Sequence, residues 1–196
     1  MVSSSHDDIT QAAARLVVEE GLEFGLAKRK AARDLSRRLA RAADLPSNEQ
    51  IEDEVREYLA IFHAETQPSE LAALRRLARE WMERLAEFRP HLAGAVWRGT
   101  ATRRSAIQLE LYCDDPKSAE IALLNFHVEY EVGGNGDQTD LIRLEVPSRE
   151  LGQPIPVFLW VLDRDDLRGG LKPDSRGRTW RGDALALDRL MQESPA

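Results

Sequence analysis

The sequence predicts an α+β fold, in which an N-terminal helical region is followed by a mixed sheet flanked by helices. Two observations lead to this prediction. Residues 1–90 carry apolar side chains at helical spacing, whereas from residue 91 onward short apolar runs alternate with glycine and proline. The chain has 196 residues, of which 42% are hydrophobic, so it can bury a core in one domain or in two small ones. We therefore expect a helical region at 1–90 and an α+β domain at 91–196.

The helical region divides at positions that local chemistry explains. Gly21 is a natural helix stop, and Pro46 interrupts the pattern after a second, basic segment. Ser47 and Gln50 have the spacing of a capping box, which starts the next helix. The apolar positions that define the four segments are Ile9, Ala12, Ala13, Leu16 and Val17; Ala31, Ala32, Leu35 and Leu39; Ile51, Val55, Leu59 and Phe62; and Leu71, Leu74, Leu77, Trp81, Leu85 and Phe88.

The α+β region contains strand patterns and two helices. The clearest strand alternates, with one face formed by Ile107, Leu109 and Leu111 and the other by Ala106, Gln108 and Glu110. The predicted strands are Leu92–Trp97, Ser105–Tyr112, His127–Val132, Leu141–Val146 and Ile155–Leu162. The last of these is nearly all apolar, which favours the middle of the sheet. Helices are predicted from Pro116 to Phe126 and after the N-cap Asp183, and a glycine-rich turn is predicted at 133–136.

Composition excludes several classes of protein. With a single cysteine, Cys113, the chain cannot form a disulfide framework or a cysteine zinc site by itself. The 4 histidines lack paired metal-ligand spacing, and there is no run of about 18 apolar residues. We therefore expect no cofactor and no membrane partner. The first residues lack the basic start and apolar run of a secretory signal, which predicts a cytoplasmic protein.

Charge is distributed unevenly along the chain. The net charge is −7, yet the segment from Lys28 to Arg41 contains seven basic residues and one acid. Overall acidity argues against a general nucleic-acid coat, because that affinity comes mostly from phosphate neutralisation. The basic segment is either a solvated helix face or a contact for RNA, DNA or an acidic protein. The candidate partner-binding residues are Lys28, Lys30, Arg33, Arg37 and Arg41.

The most informative motif lies at 94–109. It reads Gly94-Ala95-Val96-Trp97-Arg98-Gly99-Thr100-Ala101-Thr102-Arg103-Arg104-Ser105-Ala106-Ile107-Gln108-Leu109. The motif resembles the signature of the nucleotidyltransferase superfamily, the DNA polymerase β-like fold. The wider chain resembles a proteobacterial group of such domains with an N-terminal helical extension. The resemblance implies a strand that ends in Gly-Ser, a short helical turn, and a second strand whose two aspartates hold metal ions against the nucleotide phosphates.

This chain departs from that signature at each reactive position. Ala95 occupies the serine position, while Ala106 and Gln108 occupy the aspartate positions. The later strand, which the resemblance implies for a third carboxylate, offers none before Asp163. We therefore predict a nucleotidyltransferase-like protein without transfer activity, which binds a nucleotide, a nucleic acid or a protein partner. The resemblance assigns the nucleotide-binding set Gly94, Ala95, Arg98, Thr100, Gln108 and Glu110.

Two alternatives remain open. In the first, an active enzyme holds magnesium with Glu110 and either Asp114 or Asp115, although Glu110 lies about 6.5 Å further along the strand than position 108. In the second, the chain is an interaction protein or a homo-oligomer, and the helix faces at 51–62 and 71–88 bury against another chain.

Overall fold

The structure is a computed structural model that describes residues 2–35, 45–133, 140–167, 173–174 and 177–193. These residues form seven α-helices and six β-strands, and the strands make one mixed sheet. The predicted α+β fold class is thereby confirmed. By its internal contacts the chain divides into two compact units, Met1–Pro68 with Thr100–Ser105, and Ser69–Gly99 with Ala106–Ala196. The change of sequence pattern at residue 91 marks the first strand, whereas the contacts divide the chain after Pro68.

The first unit contains three helices, α1 (Val2–Glu20), α2 (Phe24–Leu35) and α3 (Asn48–Phe62). Gly21 ends α1 with a φ of 68°, as predicted. The Ser47–Gln50 capping box is confirmed, because each side chain bonds the other residue's backbone N–H, at 3.1 and 2.8 Å. The core of the unit contains Ile9, Ala13, Val17, Ala27, Ala31, Ala32, Ile51, Val55 and Leu59.

The second unit contains the sheet and four helices within the described residues. The strands are β1 (His91–Ala93), β2 (Ile107–Tyr112), β3 (Tyr130–Gly133), β4 (Asp140–Ser148), β5 (Gln153–Leu162) and β6 (Arg181–Gly182). The helices are α4 (Gln67–Arg84), which lies in this unit from Ser69 onward, α5 (Gly94–Arg98), α6 (Lys117–Asn125) and α7 (Ala184–Glu193). The predicted N-cap Asp183 accepts a hydrogen bond from the backbone of Ala186 at 2.8 Å.

The strand order is β3-β4-β5-β2-β1-β6. β2 and β5 are parallel neighbours, with Gln108 opposite Phe158 and Glu110 opposite Trp160. The other neighbouring strands are antiparallel, and Ala93 on β1 lies between Gln108 and Arg181. β5 is in the interior of the sheet, as its apolar run predicts.

The sheet has one closed face and one partly open face, because side chains alternate along each strand. The closed face carries buried residues of three neighbouring strands, namely Ile107, Leu109, Leu111, Ile142, Leu144, Val146, Val157, Leu159 and Val161. The other face carries Gln108 and Glu110 of β2 and Phe158 of β5, which are partly exposed, and Trp160, which is 36% exposed. We call this second surface the open face. Its existence means that the predicted cleft-side residues of β2 do not point into the core.

One predicted strand is too long. The run Leu92–Trp97 predicts a strand, but β1 ends at Ala93 and the following five residues form α5. The physical reason is Gly94, whose φ of 68° turns the chain out of the extended conformation. Residues 94–97 of the predicted strand therefore belong to a short helix, as the resemblance implies.

Two other expectations concern the glycine-rich turn and membrane-spanning helices. Residues 134–136 of the predicted glycine-rich turn lie outside the described residues. No helix within the described ranges combines the length and the apolar character needed to cross a membrane.

We predict that Gly182→Ala destabilises the second unit by about 1–3 kcal/mol, because its new methyl group overpacks the site. A Cβ at Gly182 would lie 2.1 Å from the ring of Trp97, which is held by a 3.0 Å hydrogen bond from its Nε1 to the carbonyl of Thr179. Urea unfolding measures the loss, and Trp97→Leu serves as the control background. Full stability of the glycine variant, or an equal loss in both backgrounds, would contradict this packing.

Candidate functional site

The turn between β1 and α5 is built on a glycine for two reasons. Gly94 has a positive φ of 68°, which side chains disfavour. A Cβ at Gly94 would also lie 2.8 Å from the amide carbon of Gln108 and 2.9 Å from its Oε1. The glycine thus allows the Gln108 side chain to pack directly against the turn. Gly94 and Gln108, both members of the nucleotide-binding set that the resemblance implies, are therefore neighbours in the fold.

The positions that the resemblance assigns to the serine and the two aspartates lie outside the core. Ala95, Ala106 and Gln108 are each partly exposed, whereas the intervening neighbours Val96 and Ile107 are buried. The alternation of β2 explains this arrangement, because Ile107 faces the closed side of the sheet. These three positions therefore provide two methyl groups and one neutral amide, and no carboxylate.

Glu110 on the open face is held by two neighbours. Its Oε2 accepts hydrogen bonds from the Tyr112 hydroxyl, at 2.6 Å, and from Nη1 of Arg181 on β6. The same Nη1 donates to the Tyr112 oxygen at 3.0 Å. The exposed fraction of the side chain is 14% for Glu110 and 25% for Arg181. His91 contacts the Tyr112 ring edge-on, with the ring centres 5.3 Å apart. We call Glu110, Tyr112 and Arg181 the carboxylate cluster.

Charge and burial fix the protonation of this cluster. Burial, followed by the hydrogen bond to Glu110, raises the pKa of Tyr112 to about 12. For Arg181, burial acts to lower the pKa, but its hydrogen bond to Tyr112 and the charge of Glu110 outweigh this effect and raise it. Near neutral pH the cluster therefore contains a neutral phenol and a guanidinium that neutralises its carboxylate. Glu110 is consequently engaged as an ion-pair partner.

Arg98 lies in the second unit as a buried structural cation. Its side chain is 4% exposed, and Nη1 lies 3.3 Å from the Asp174 carboxylate, which is itself 3% exposed. Nη1 also donates to the carbonyl of Thr179 at 3.2 Å, and the guanidinium lies 4.2 Å from the ring centre of Trp180. Arg178 contacts the same Asp174 carboxylate at 3.3 Å. Arg98 thus ties the chain before β6 to the short helix α5.

A second arginine also contacts α5, although the sequence does not single it out. Arg75 of α4 is 5% exposed and donates to the carbonyls of Val96, at 3.2 Å, and Trp97, at 3.4 Å. A guanidinium at these last carbonyls satisfies the end of the helix. Burial lowers the pKa of Arg75. In the sequence it looks like an ordinary arginine of an amphipathic helix, so no local signal identifies it.

Thr100 and the rest of the motif loop, Thr100–Ser105, belong by their contacts to the first unit. Within that unit, Thr102 donates its hydroxyl to the carbonyl of Val18 at 3.4 Å, and Ser105 Oγ accepts from the Thr102 backbone at 3.1 Å. The hydroxyl of Thr100 is buried and has no hydrogen-bond partner among the described residues. The loop therefore has a clear structural role in packing against α1.

The strand that the resemblance implies for a third carboxylate carries aromatic residues instead. Phe158 lies opposite Gln108, and Trp160 lies opposite Glu110, both on the open face. The first acid after this strand is Asp163, whose Oδ1 accepts from the backbone of Asp165 at 2.9 Å. It therefore caps the turn that follows β5.

Asp114 and Asp115, which the alternative active site needs, lie beyond the end of β2. Asp114 pairs with Arg164 at 3.1 Å, and Asp115 Oδ1 accepts from the backbone of Lys117 at 3.0 Å. Asp115 therefore has the helix-entry role that the neighbouring Pro116 suggests. Within the described part of the chain, no group of three or more His, Cys, Asp or Glu side chains is arranged to hold a metal ion.

The described part of the basic segment lies on α2. Lys28 donates to Asn48 Oδ1 at 2.9 Å, and Lys30 pairs with Glu20 at 2.6 Å, so both link α2 to other helices of the first unit. The side chain of Arg33 is 71% exposed. The predicted partner-binding residues Arg37 and Arg41 lie outside the described residues.

No protein-family model matches this chain, and no curated protein matches it. A solved structure of the Cid1 poly(U) polymerase with MgGTP bound is similar with a TM-score of 0.41 and 12% sequence identity. The match covers 72% of this chain and 43% of that polymerase chain. The matched region thus spans less than half of the polymerase, and a likeness of this size assigns no activity to this protein.

We predict that the contribution of Tyr112 to stability is lost as the pH rises from 10 to 12. The pKa of Tyr112 is raised from 10.0 to about 12 in the folded chain, so the phenol stabilises the fold fully below pH 10. The difference in unfolding free energy between the wild type and Tyr112→Phe should shrink across this window by up to about 2.7 kcal/mol, at about 1.36 kcal/mol per pKa unit. Urea titrations at several pH values measure it. A difference that stays constant with pH would contradict the assignment.

Proposed function

We propose that this chain is a nucleotidyltransferase-like protein that binds a nucleotide without transferring it. One observation carries the proposal: Glu110, the one carboxylate of β2 on the open face, is held by Arg181 and Tyr112, while positions 106 and 108 are Ala106 and Gln108. A cytoplasmic location is part of the same proposal.

The chemistry of phosphoryl transfer explains why these residues matter. Two divalent ions about 3.5–4 Å apart clamp the attacking and leaving oxygens, and hard cations of this kind take carboxylate ligands. Alanine offers no ligand, and an amide oxygen is a weaker one than a carboxylate. The remaining carboxylate already accepts two hydrogen bonds, one from a cation. The open face therefore lacks the ligands for two metal ions, and we propose that a nucleotide contacts its side chains directly.

Nucleic acid and protein remain further candidate partners. The first unit offers Arg33 on α2 for a phosphate or acidic contact: its side chain is 71% exposed, and its ion pair with Asp34, at 3.7 Å, is itself exposed to solvent. The helix face at 51–62 is mostly internal, since Ile51, Val55 and Leu59 are buried, but Ile61 and Phe62 are 71% and 64% exposed. A protein partner or a second copy would contact those two residues. Sedimentation of Phe62→Ser against the wild type tests this candidate, and a monomer at high concentration for both would reject self-association.

The active-enzyme alternative requires Glu110 to leave Arg181 and bind magnesium. Glu110→Ala separates the two proposals, because it removes any activity that depends on this carboxylate. Magnesium-dependent transfer of label from a nucleoside triphosphate by the wild type, lost in Glu110→Ala, would overturn the binding proposal.

We predict that nucleotide binding is independent of metal. Calorimetry with ATP, GTP, CTP and UTP should give the same Kd in magnesium and in EDTA for any nucleotide that binds. Binding that vanishes in EDTA would contradict the proposal.

The double variant Ala106→Asp, Gln108→Asp should bind magnesium at least about tenfold more tightly than the wild type, because it places two alternating carboxylates on one face. The control is Ile121→Asp with Leu124→Asp, which adds two carboxylates to exposed positions of α6 and should leave magnesium affinity at the wild-type value.

A further inference from the structure

The geometry points to a base-stacking subsite on β5: the open face takes the base of a nucleoside monophosphate on Phe158 and Trp160, with its phosphate directed toward Arg181. This inference rests on the proposed nucleotide binding and adds where and how the ligand lies. It differs from a metal-dependent nucleotide site, because the strand that would supply the third carboxylate supplies flat apolar surface.

The first reason is the composition of β5. A sheet face that meets water normally carries polar residues at its outward positions. On β5 the outward positions after Pro154 are Pro156, Phe158, Trp160 and Leu162, all apolar. Trp160 lies on an interior strand of the sheet, yet the residue is 36% exposed. Stacking on an aromatic ring is the common way in which proteins bind bases without strong sequence preference.

The second reason is what lies beside these rings. Gln108 is opposite Phe158, and its amide offers both a donor and an acceptor, which match the edge of a nucleobase. Glu110 is opposite Trp160 and brings the Arg181 guanidinium to the same row of the sheet. Nη1 of Arg181 donates to both Glu110 and Tyr112. Nε of the same side chain is buried and has no hydrogen-bond partner among the described residues. The planar surface is thus bordered by hydrogen-bonding groups on one side.

The third reason is charge, which fixes the direction of the ligand. On the β3–β4 side, Arg143 lies opposite Phe158 and pairs with Glu145 at 3.3 Å. Among the described residues, these two line a cavity of about 340 Å³ together with Glu129 and Glu131, so acids outnumber cations there. This side repels a phosphate. The opposite side carries Arg181, which pairs with Glu110, and Arg178, which shares the single carboxylate of Asp174 with Arg98, so arginines outnumber carboxylates in these two clusters. A nucleotide whose base covers Trp160 therefore places its phosphate toward β6.

Binding of AMP, GMP, CMP and UMP in EDTA, measured by calorimetry, tests the subsite. Trp160→Ala should weaken binding of the monophosphate that the wild type prefers by about 5-fold to 100-fold, the range expected for one stacked base. Trp160→Leu keeps apolar area without an aromatic plane and should lose most of the same affinity, whereas Trp160→Phe should retain most of it. Ile121→Ala removes an apolar side chain of 55% exposure from α6 and should leave Kd unchanged.

The ligand series separates the two levels of the proposal. The nucleoside of the preferred monophosphate should still bind the wild type with a measurable Kd. Ribose 5-phosphate, which lacks the base, should bind less tightly than the nucleotide. Arg181→Met should reduce the affinity for the nucleotide more than the affinity for the nucleoside. If no nucleotide binds the wild type, the proposed function itself is wrong. If a nucleotide binds and Trp160→Leu and Trp160→Ala, both folded by circular dichroism, keep the wild-type Kd, nucleotide binding stands and the stacking subsite is wrong.

Discussion

The closed face of the sheet is the constraint on which the candidate site depends. Ile107, Leu109 and Leu111 are each 0% exposed, so a one-residue slip of β2 would bring three apolar side chains out of the core. This burial fixes Gln108 and Glu110 on the opposite face. It also fixes the register with β1 and β5, so that Gln108 meets the Gly94 turn and Glu110 lies beside Trp160. The site is thus positioned by residues that take no part in its chemistry.

Given that placement, charge decides what the open face can hold. A face with two or three unpaired carboxylates repels a phosphate until divalent cations bridge them. Here β2 has one carboxylate on this face, Glu110, which already pairs with Arg181, and Tyr112 adds a hydrogen bond to the same oxygen. A guanidinium offers directional hydrogen bonds but no open coordination position, so it favours binding and orientation of an anion over activation of a hydroxyl. The neutral side chains at positions 106 and 108 and the arginine beside Glu110 both disfavour a site for divalent cations.

The sequence predicts caps and strand alternation, which depend on neighbouring residues, but not the contacts between residues far apart in the chain. The alternation of β2, the Ser47 capping box and the Asp183 N-cap follow from spacings of two or three residues, and each is confirmed. The strand predicted beyond Ala93 was wrong because hydropathy alone does not register the positive φ of Gly94. The partners of Glu110 and Arg98 could not be predicted, since Arg181 and Asp174 lie more than seventy positions away in the chain and resemble many other charged surface residues. Only the folded register brings them together.

The motif loop and the outward face of β5 differ in how far the fold itself explains their side chains. The Thr100–Ser105 loop would persist without any ligand, because Thr102 and Ser105 make hydrogen bonds that pack it within the first unit. Phe158 and Trp160 have no such internal reason: the closed side of β5 is already filled by Val157, Leu159 and Val161. A polar residue at position 160 would satisfy the fold equally well and leave less apolar surface in water. An exposed indole in the interior of a sheet, beside the Glu110–Arg181 ion pair and one row from the Gln108 amide, is therefore consistent with the proposed planar ligand that stacks on it.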